Sequence, residues 1–140
     1  TFFQFRKEKI MNKIKIGYKK LLLDASKVIK EISVTEGISL LEDDNYLFVD
    51  LRDIREIKRE GKIPNSFSCP RGMLEFWIDP DSPYFKKVFN EKKYYIFYCA
   101  SAWRSALSCK TAMEMGLKSV YSLKGGYSEW KKLKGPFEII

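Results

Sequence analysis

Apolar positions change period several times along this chain, and the changes divide it into elements. From Tyr18 to Ile32, the residues Leu21, Leu22, Ala25, Val28, Ile29 and Ile32 recur at helical spacing. They predict an amphipathic helix over 17–31 with Lys19, Lys20, Lys27 and Lys30 outward. Ser33-Val34-Thr35-Glu36 reads as a capping box opening a short helix to Leu40 or Leu41. Tyr46–Asp50 is a compact apolar run of the kind buried on both sides in a parallel sheet. A helix over Ile54–Glu60 then stops at Gly61. Phe67–Cys69 predicts a short strand, and residues 72–90 an aromatic-rich connection broken by prolines.

The second half repeats the alternation. Tyr94–Tyr98 is the strongest strand candidate, a helix is expected from about Arg104 to Met115 with Gly116 closing it, and Val120–Leu123 is a further strand. Gly125-Gly126 turns the chain into a last short helix carrying Tyr127 and Trp130, which pack it onto the sheet. Strands alternating with helices imply an α/β fold with a mainly parallel sheet covered on both faces. In such sheets ligands sit beyond the carboxyl ends of the strands.

Composition narrows the picture. A chain of 140 residues is the size of one domain. Its net charge is +8, but nine of the 26 Lys/Arg and only three of the 18 Asp/Glu fall in residues 1–31, leaving the remainder at +2. The basic leader reads as a solvated face, since no nucleic-acid motif accompanies it, and residues 1–16 are expected to be poorly ordered. No apolar run is long enough for a membrane span, and no secretory layout opens the chain, so a cytoplasmic location is expected. Histidine is absent, which excludes a Ser-His-Asp triad, a Cys-His pair and any histidine-containing zinc site. Cys69, Cys99 and Cys109 lack C-x-x-C spacing, and their odd number argues against a disulfide framework.

The chemistry concentrates in Cys99-Ala100-Ser101-Ala102-Trp103-Arg104-Ser105. Cys99 falls where a strand ends, and a helix begins near Arg104. A tight loop there turns backbone amides inward, and the helix N-terminus adds partial positive charge; both stabilise a thiolate. Without histidine, main-chain dipoles and Arg104 must activate the cysteine. The C-x4-R spacing is one residue shorter than the C-x5-R loop of cysteine-dependent phosphatases, a smaller cradle matched to a sulfur atom already bonded to the cysteine.

The motifs in order are Asp50-Leu51-Arg52, Gly61–Ser66, Cys99–Ser105, Met115-Gly116-Leu117 and Gly125–Trp130. Over about residues 32–134 they resemble the rhodanese homology domain, and Pro70–Trp77 resembles its polysulfide-sulfurtransferase branch. The resemblance implies a rhodanese-like domain over 32–140 with about five strands, needing no metal or organic cofactor. It further implies a sulfurtransferase in which Cys99 accepts sulfane sulfur from thiosulfate, polysulfide or a persulfide and passes it to a thiol or to cyanide. The amides of Ala100 to Ser105 would hold the charged sulfur. A small sulfur donor and a thiol acceptor are the expected partners, with no nucleic acid. The alternatives are a non-enzymatic rhodanese-like module for protein binding or sulfur sensing, and a phosphatase or arsenate reductase.

Individual residues carry competing readings. Arg104 faces the substrate or ties the loop through carbonyls; Ser105 donates to the persulfide or caps the helix. Arg71 draws in anionic donors or forms a surface ion pair. Trp103 lines the pocket, offers a contact surface or packs. Phe76 and Trp77 belong to the core or the pocket rim. Asp50 and Arg52 support the site, Asp50 by anchoring loop amides and Arg52 by pairing with Glu56. Cys69 and Cys109 are small buried hydrophobes or, less favourably, resolving thiols. Two departures from the family stand out: Ala102 where glycine is common, and Lys62 where histidine is frequent. If position 102 needs positive φ, alanine there strains the loop.

Overall fold

The structure, a computed structural model, describes residues 12–91 and 93–140. Residues 1–11, most of the leader expected to be poorly ordered, lie outside the described residues. Five strands, β1 (Lys30–Ile32), β2 (Tyr46–Asp50), β3 (Phe67–Ser68), β4 (Tyr94–Tyr98) and β5 (Val120–Leu123), form one sheet in the order β1-β5-β4-β2-β3. Every pairing in it is parallel. The α-helices are α1 (Tyr18–Ser26), α2 (Val34–Ser39), α3 (Ile54–Glu60), α4 (Leu74–Ile78), α5 (Trp103–Glu114) and α6 (Gly126–Lys132).

The pleat of β4 divides the interior. Tyr95, Phe97 and Cys99 enter one cluster with Val49, Leu74, Ile78, Cys109, Ala112 and Val120, contributed by α4 and α5 and their strands. Ile96 and Tyr98 enter the other with Phe48, Ile63, Leu123, Tyr127 and Trp130, under α2 and α6. Alternate side chains of a strand point to opposite faces, so a run that is apolar throughout requires cover on both. This is the two-sided α/β architecture expected from the alternation of elements.

Three local expectations change. The helix predicted over 17–31 ends at Ser26, and the chain turns through Lys27 to Ile29 into β1, which pairs with β5 from Lys30 to Ile32. Val28 and Ile29 fit helical spacing, but Ile29 instead packs on the core from the turn. Ser33 caps α2 by accepting from the Glu36 amide at 3.1 Å. The reciprocal capping box instead opens α3, where Asp53 accepts from the Arg55 amide and Glu56 accepts from the Asp53 amide. Helix α5 begins one residue early, at Trp103.

Candidate active site

The carboxyl ends of β2 and β4 lie side by side, with Asp50 opposite Tyr98 in register. Beyond β2 stands a buried cluster. Arg52 is 1 % exposed and Asp50 fully buried. The guanidinium grips the carboxylate twice, Nε to Oδ1 at 3.0 Å and one terminal nitrogen to Oδ2 at 2.7 Å. The same terminal nitrogen donates to the Gly61 carbonyl at 2.8 Å. Arg52 lies 4.2 Å from the Tyr127 ring centre and 5.5 Å from that of Tyr98. Burial opposes the Arg52 charge, but the hydrogen bonds and charge of Asp50 outweigh it and hold the guanidinium above its ordinary value. The Tyr98 hydroxyl donates to Asp50 at 2.7 Å and accepts from the Ile63 amide at 3.2 Å. Its single proton is thereby used, so Ser66, 3.0 Å away, must be the donor in their mutual bond. The expected Arg52–Glu56 pair is replaced by Arg52–Asp50, and the amide Asp50 anchors is that of Arg52, at 3.0 Å.

Beyond β4 the chain enters the cysteine loop. Cys99 is 1 % exposed. Its thiol lies 3.8 Å from the Ser105 hydroxyl, which lies 2.9 Å from the hydroxyl of Ser122 on β5. Ser105 and Ser122 are both buried. Ser105 sits inside the first turn of α5 and makes no cap bond, so the capping reading gives way to a contact with the sulfur. The residue at the cap position is Ala102, at φ 72°, ψ 4°. The positive φ considered from the sequence is present, and alanine there costs about 1–2 kcal/mol. Among the described residues, the amides from Ala100 to Ser105 donate to no carbonyl or side chain of the chain. The carbonyls of Cys99 and Ala100 are by contrast engaged, accepting from the amides of Tyr127 at 2.8 Å and Ser128 at 3.0 Å. Gly126, at φ 65°, permits this approach, since a Cβ there would stand 2.7 Å from both carbonyl oxygens.

Arg104 ties the loop through a carboxylate and not through carbonyls, and its charge also bears on Cys99. It forms a two-pronged pair with Glu56 of α3, at 2.7 and 2.9 Å, bridging the loop to the helix that follows β2. The hydrogen bonds from Arg104 hold the Glu56 carboxyl down at about 2, and those to Glu56 hold Arg104 above its ordinary value. Trp103 is 55 % exposed and lies against Tyr18 of α1, ring centres 5.1 Å apart, as a surface contact. Arg71 pairs with Glu75 at 2.9 Å, the surface ion pair considered from the sequence, while its amide donates to the Leu51 carbonyl at 3.2 Å. Phe76 is exposed, whereas Trp77 packs against the core and Phe67. Cys69 and Cys109 are buried thiols; desolvation pushes Cys69 up to about 12 and raises Cys109 as well. Lys62 reaches the Ser66 carbonyl and Glu138.

The structure therefore gathers Cys99, Ala100–Ser105, Asp50 and Arg52 at the carboxyl end of the sheet's inner strands. The sequence did not single out Ser122, and it considered Glu56 only as a partner of Arg52. Ser122 is a serine in an otherwise apolar strand, aligned with Phe97 two residues before the cysteine, and that polar interruption is the signal that could have found it.

Residues 33–133 match the family described as the Rhodanese-like domain. The chain belongs to that family. Among rhodanese-like relatives, the putative sulfurtransferase YtwF of Bacillus subtilis is 33% identical over 104 residues, covering 74% of this chain and 91% of its own length. A mouse thiosulfate sulfurtransferase/rhodanese-like domain-containing protein 3 is 28% identical over 106 residues, 72% of this chain and 68% of that protein. Among solved structures, a Rhodopseudomonas palustris protein of unknown function, described as a possible tyrosine phosphatase, is 48% identical with a TM-score of 0.89. The match covers 93% of this chain and all of that one. Human TSTD1, a single-domain sulfurtransferase, shares the fold at a TM-score of 0.61 and 24% identity, over 73% of this chain and 95% of its own.

Proposed function

We propose that this chain is a sulfurtransferase that carries sulfane sulfur on Cys99. The relatives named as sulfurtransferases support the general activity. The observation that carries the reading is the loop itself. Cys99 sits at the end of a buried strand, the following six amides have no partner among the described residues, and a serine hydroxyl lies against the sulfur. Main-chain donors fixed around an anion stabilise it without reorganising, and they do so without an imidazole.

In the proposed cycle the Cys99 thiolate attacks the outer sulfur of the donor. With thiosulfate, a sulfur–sulfur bond forms to Cys99 as the donor's own sulfur–sulfur bond breaks, and sulfite leaves with that electron pair. Cys99 then carries a persulfide anion held by the amides of Ala100–Ser105. A thiolate or cyanide acceptor attacks the terminal sulfur, the persulfide bond breaks, and the electron pair returns to Cys99 as thiolate. This is covalent catalysis in two displacements. Arg71, just after β3 and paired with Glu75, would attract anionic donors only by releasing that carboxylate. The burial of Cys99 sets a further requirement: a donor reaches the sulfur when the loop, tied to α3 by the Glu56–Arg104 bridge, yields, which favours small donors over bulky ones.

The test is sulfur transfer from thiosulfate and from polysulfide to cyanide or a thiol, with mass spectrometry of the Cys99 peptide before reduction. Wild type is expected to gain one sulfur atom on Cys99 and Cys99→Ser to lose transfer. If neither donor leaves sulfur on Cys99, the proposal fails. A phosphatase reading is favoured by the description of the Rhodopseudomonas relative. Against it stand the four-residue spacing and the neutralisation of Arg104 by Glu56, and turnover of an aryl phosphate by wild type but not by Cys99→Ser would establish it.

A further inference from the structure

Behind the cysteine, on the side away from solvent, two buried hydroxyls form a chain: Cys99 Sγ to Ser105 Oγ at 3.8 Å, then Ser105 Oγ to Ser122 Oγ at 2.9 Å. Either serine can be the donor in the second contact. A hydroxyl has one proton to give and two lone pairs to accept with, so the chain has two consistent polarities. With Cys99 as a neutral thiol, the S–H donates to Ser105, and the Ser105 proton goes to Ser122. With Cys99 as an anion, both hydroxyls rotate: Ser122 donates to Ser105, and Ser105 donates to sulfur. Neither polarity moves a proton between residues or leaves the middle oxygen unbonded.

We infer that Ser122 is a positioning residue of the sulfur site, and that with Ser105 it forms a reversible hydroxyl relay serving Cys99 in both its neutral and its anionic states. The inference rests on the reading that Cys99 is the reacting sulfur. Ser105 alone could donate to the anion, but its own oxygen would then face a buried strand with nothing donating to it, and buried polar atoms left unsatisfied are costly. Ser122 supplies that donor. It stands on β5 in register with Phe97, so the relay is held by strand pairing while Cys99 reacts from the loop. The charged and titratable groups that bear on Cys99 are Arg104, tied to Glu56 of α3, and the Cys109 thiol one turn beyond Ser105 on α5. None of them bonds Ser122.

The experiment measures the pH midpoint at which the Cys99 peptide is carboxamidomethylated by iodoacetamide in the full chain, followed by mass spectrometry, for wild type, Ser105→Ala, Ser122→Ala and Ser122→Thr. A hydrogen bond to an anion is worth enough to move such a midpoint by about one pH unit. Ser105→Ala is expected to raise it by about that much, Ser122→Ala by about half as much, and Ser122→Thr, which keeps a hydroxyl in a β-compatible residue, to return it to the wild-type position. A purely packing role for Ser122 would lower the melting temperature without moving the midpoint, and that result overturns the relay. So does a Thr variant that folds but behaves like Ala. If Ser122→Ala fails to fold, Ser122→Val removes the hydroxyl while keeping the shape of Thr: the relay requires Val to raise the midpoint where Thr holds it, and a Val variant with an unmoved midpoint overturns the relay. The parent reading is judged separately, by whether wild-type Cys99 gains sulfur at all.

Discussion

Two arginine–carboxylate pairs flank the end of the sheet, and they differ in almost everything but chemistry. Arg52–Asp50 is buried, three residues from end to end of its motif, and wrapped by two tyrosine rings and a glycine carbonyl. Arg104–Glu56 spans 48 residues of sequence and remains partly open to water, with side chains 37% and 23% exposed. The first pair is buried with both carboxylate oxygens bonded, so it fixes the strand end and cannot exchange partners without stranding a charge. The second joins the cysteine loop to a neighbouring helix, and water can replace either partner at modest cost. One pair builds the frame, and the other is placed where a loop could be released.

The largest effect expected is therefore on the frame. Arg52→Leu leaves Asp50 as an unpaired buried charge and should lower unfolding stability by about 3–5 kcal/mol, measured by urea denaturation. A loss no greater than that of Arg104→Gln would erase the distinction between the pairs. On the sulfurtransferase reading, Arg104→Gln should cut sulfur transfer by roughly tenfold to a hundredfold while costing no more than about 1 kcal/mol of stability. Steady-state transfer to cyanide beside a denaturation curve checks both halves.

Ala102→Gly should stabilise the chain by about 1 kcal/mol, because the left-handed conformation at φ 72° is natural to glycine. Thermal melting would reveal it, and an unchanged or lower melting temperature would mean the loop draws no strain from that residue. The smallest effect is on acid stability. Arg104 holds the Glu56 carboxyl at about 2, below its ordinary 4.5, so the pair's stabilisation is fully present above about pH 5 and fades as pH falls toward 2. Glu56→Gln should flatten that acid arm slightly while leaving stability near neutral pH within about 1 kcal/mol of wild type.

The contrast also shows what the sequence could and could not reveal. Strands β2 and β4 were legible as nearly unbroken apolar runs and β5 as one broken only by Ser122, and α3 was legible from its glycine stop. β1 was hidden: only Ile32 of its three residues is buried, and the apolar residues before it satisfy a helical period as well as a turn. Cys99 and its loop were legible because strand, nucleophile and helix start are contiguous. The ion pairs were misread because sequence spacing suggested that Arg52 meets Glu56, four residues on. Arg52 precedes the helix and is turned back onto Asp50, which frees Glu56 to meet a residue from the other half of the chain. Ser122 was passed over for a related reason: the polar break in β5 marks it, but its contact with Ser105 comes from how β5 and α5 pack together.

The seating of α6 on the cysteine loop has one more effect. A trans peptide sends its oxygen and the next residue's N–H in opposite directions. By drawing the oxygens of Cys99 and Ala100 toward the backbone of Tyr127 and Ser128, the last helix dictates the orientation of two peptide planes, and the N–H groups of Ala100 and Ser101 must face away from it. The double glycine ahead of that helix thus acts as an aiming device, setting the polarity of a loop some 25 residues upstream.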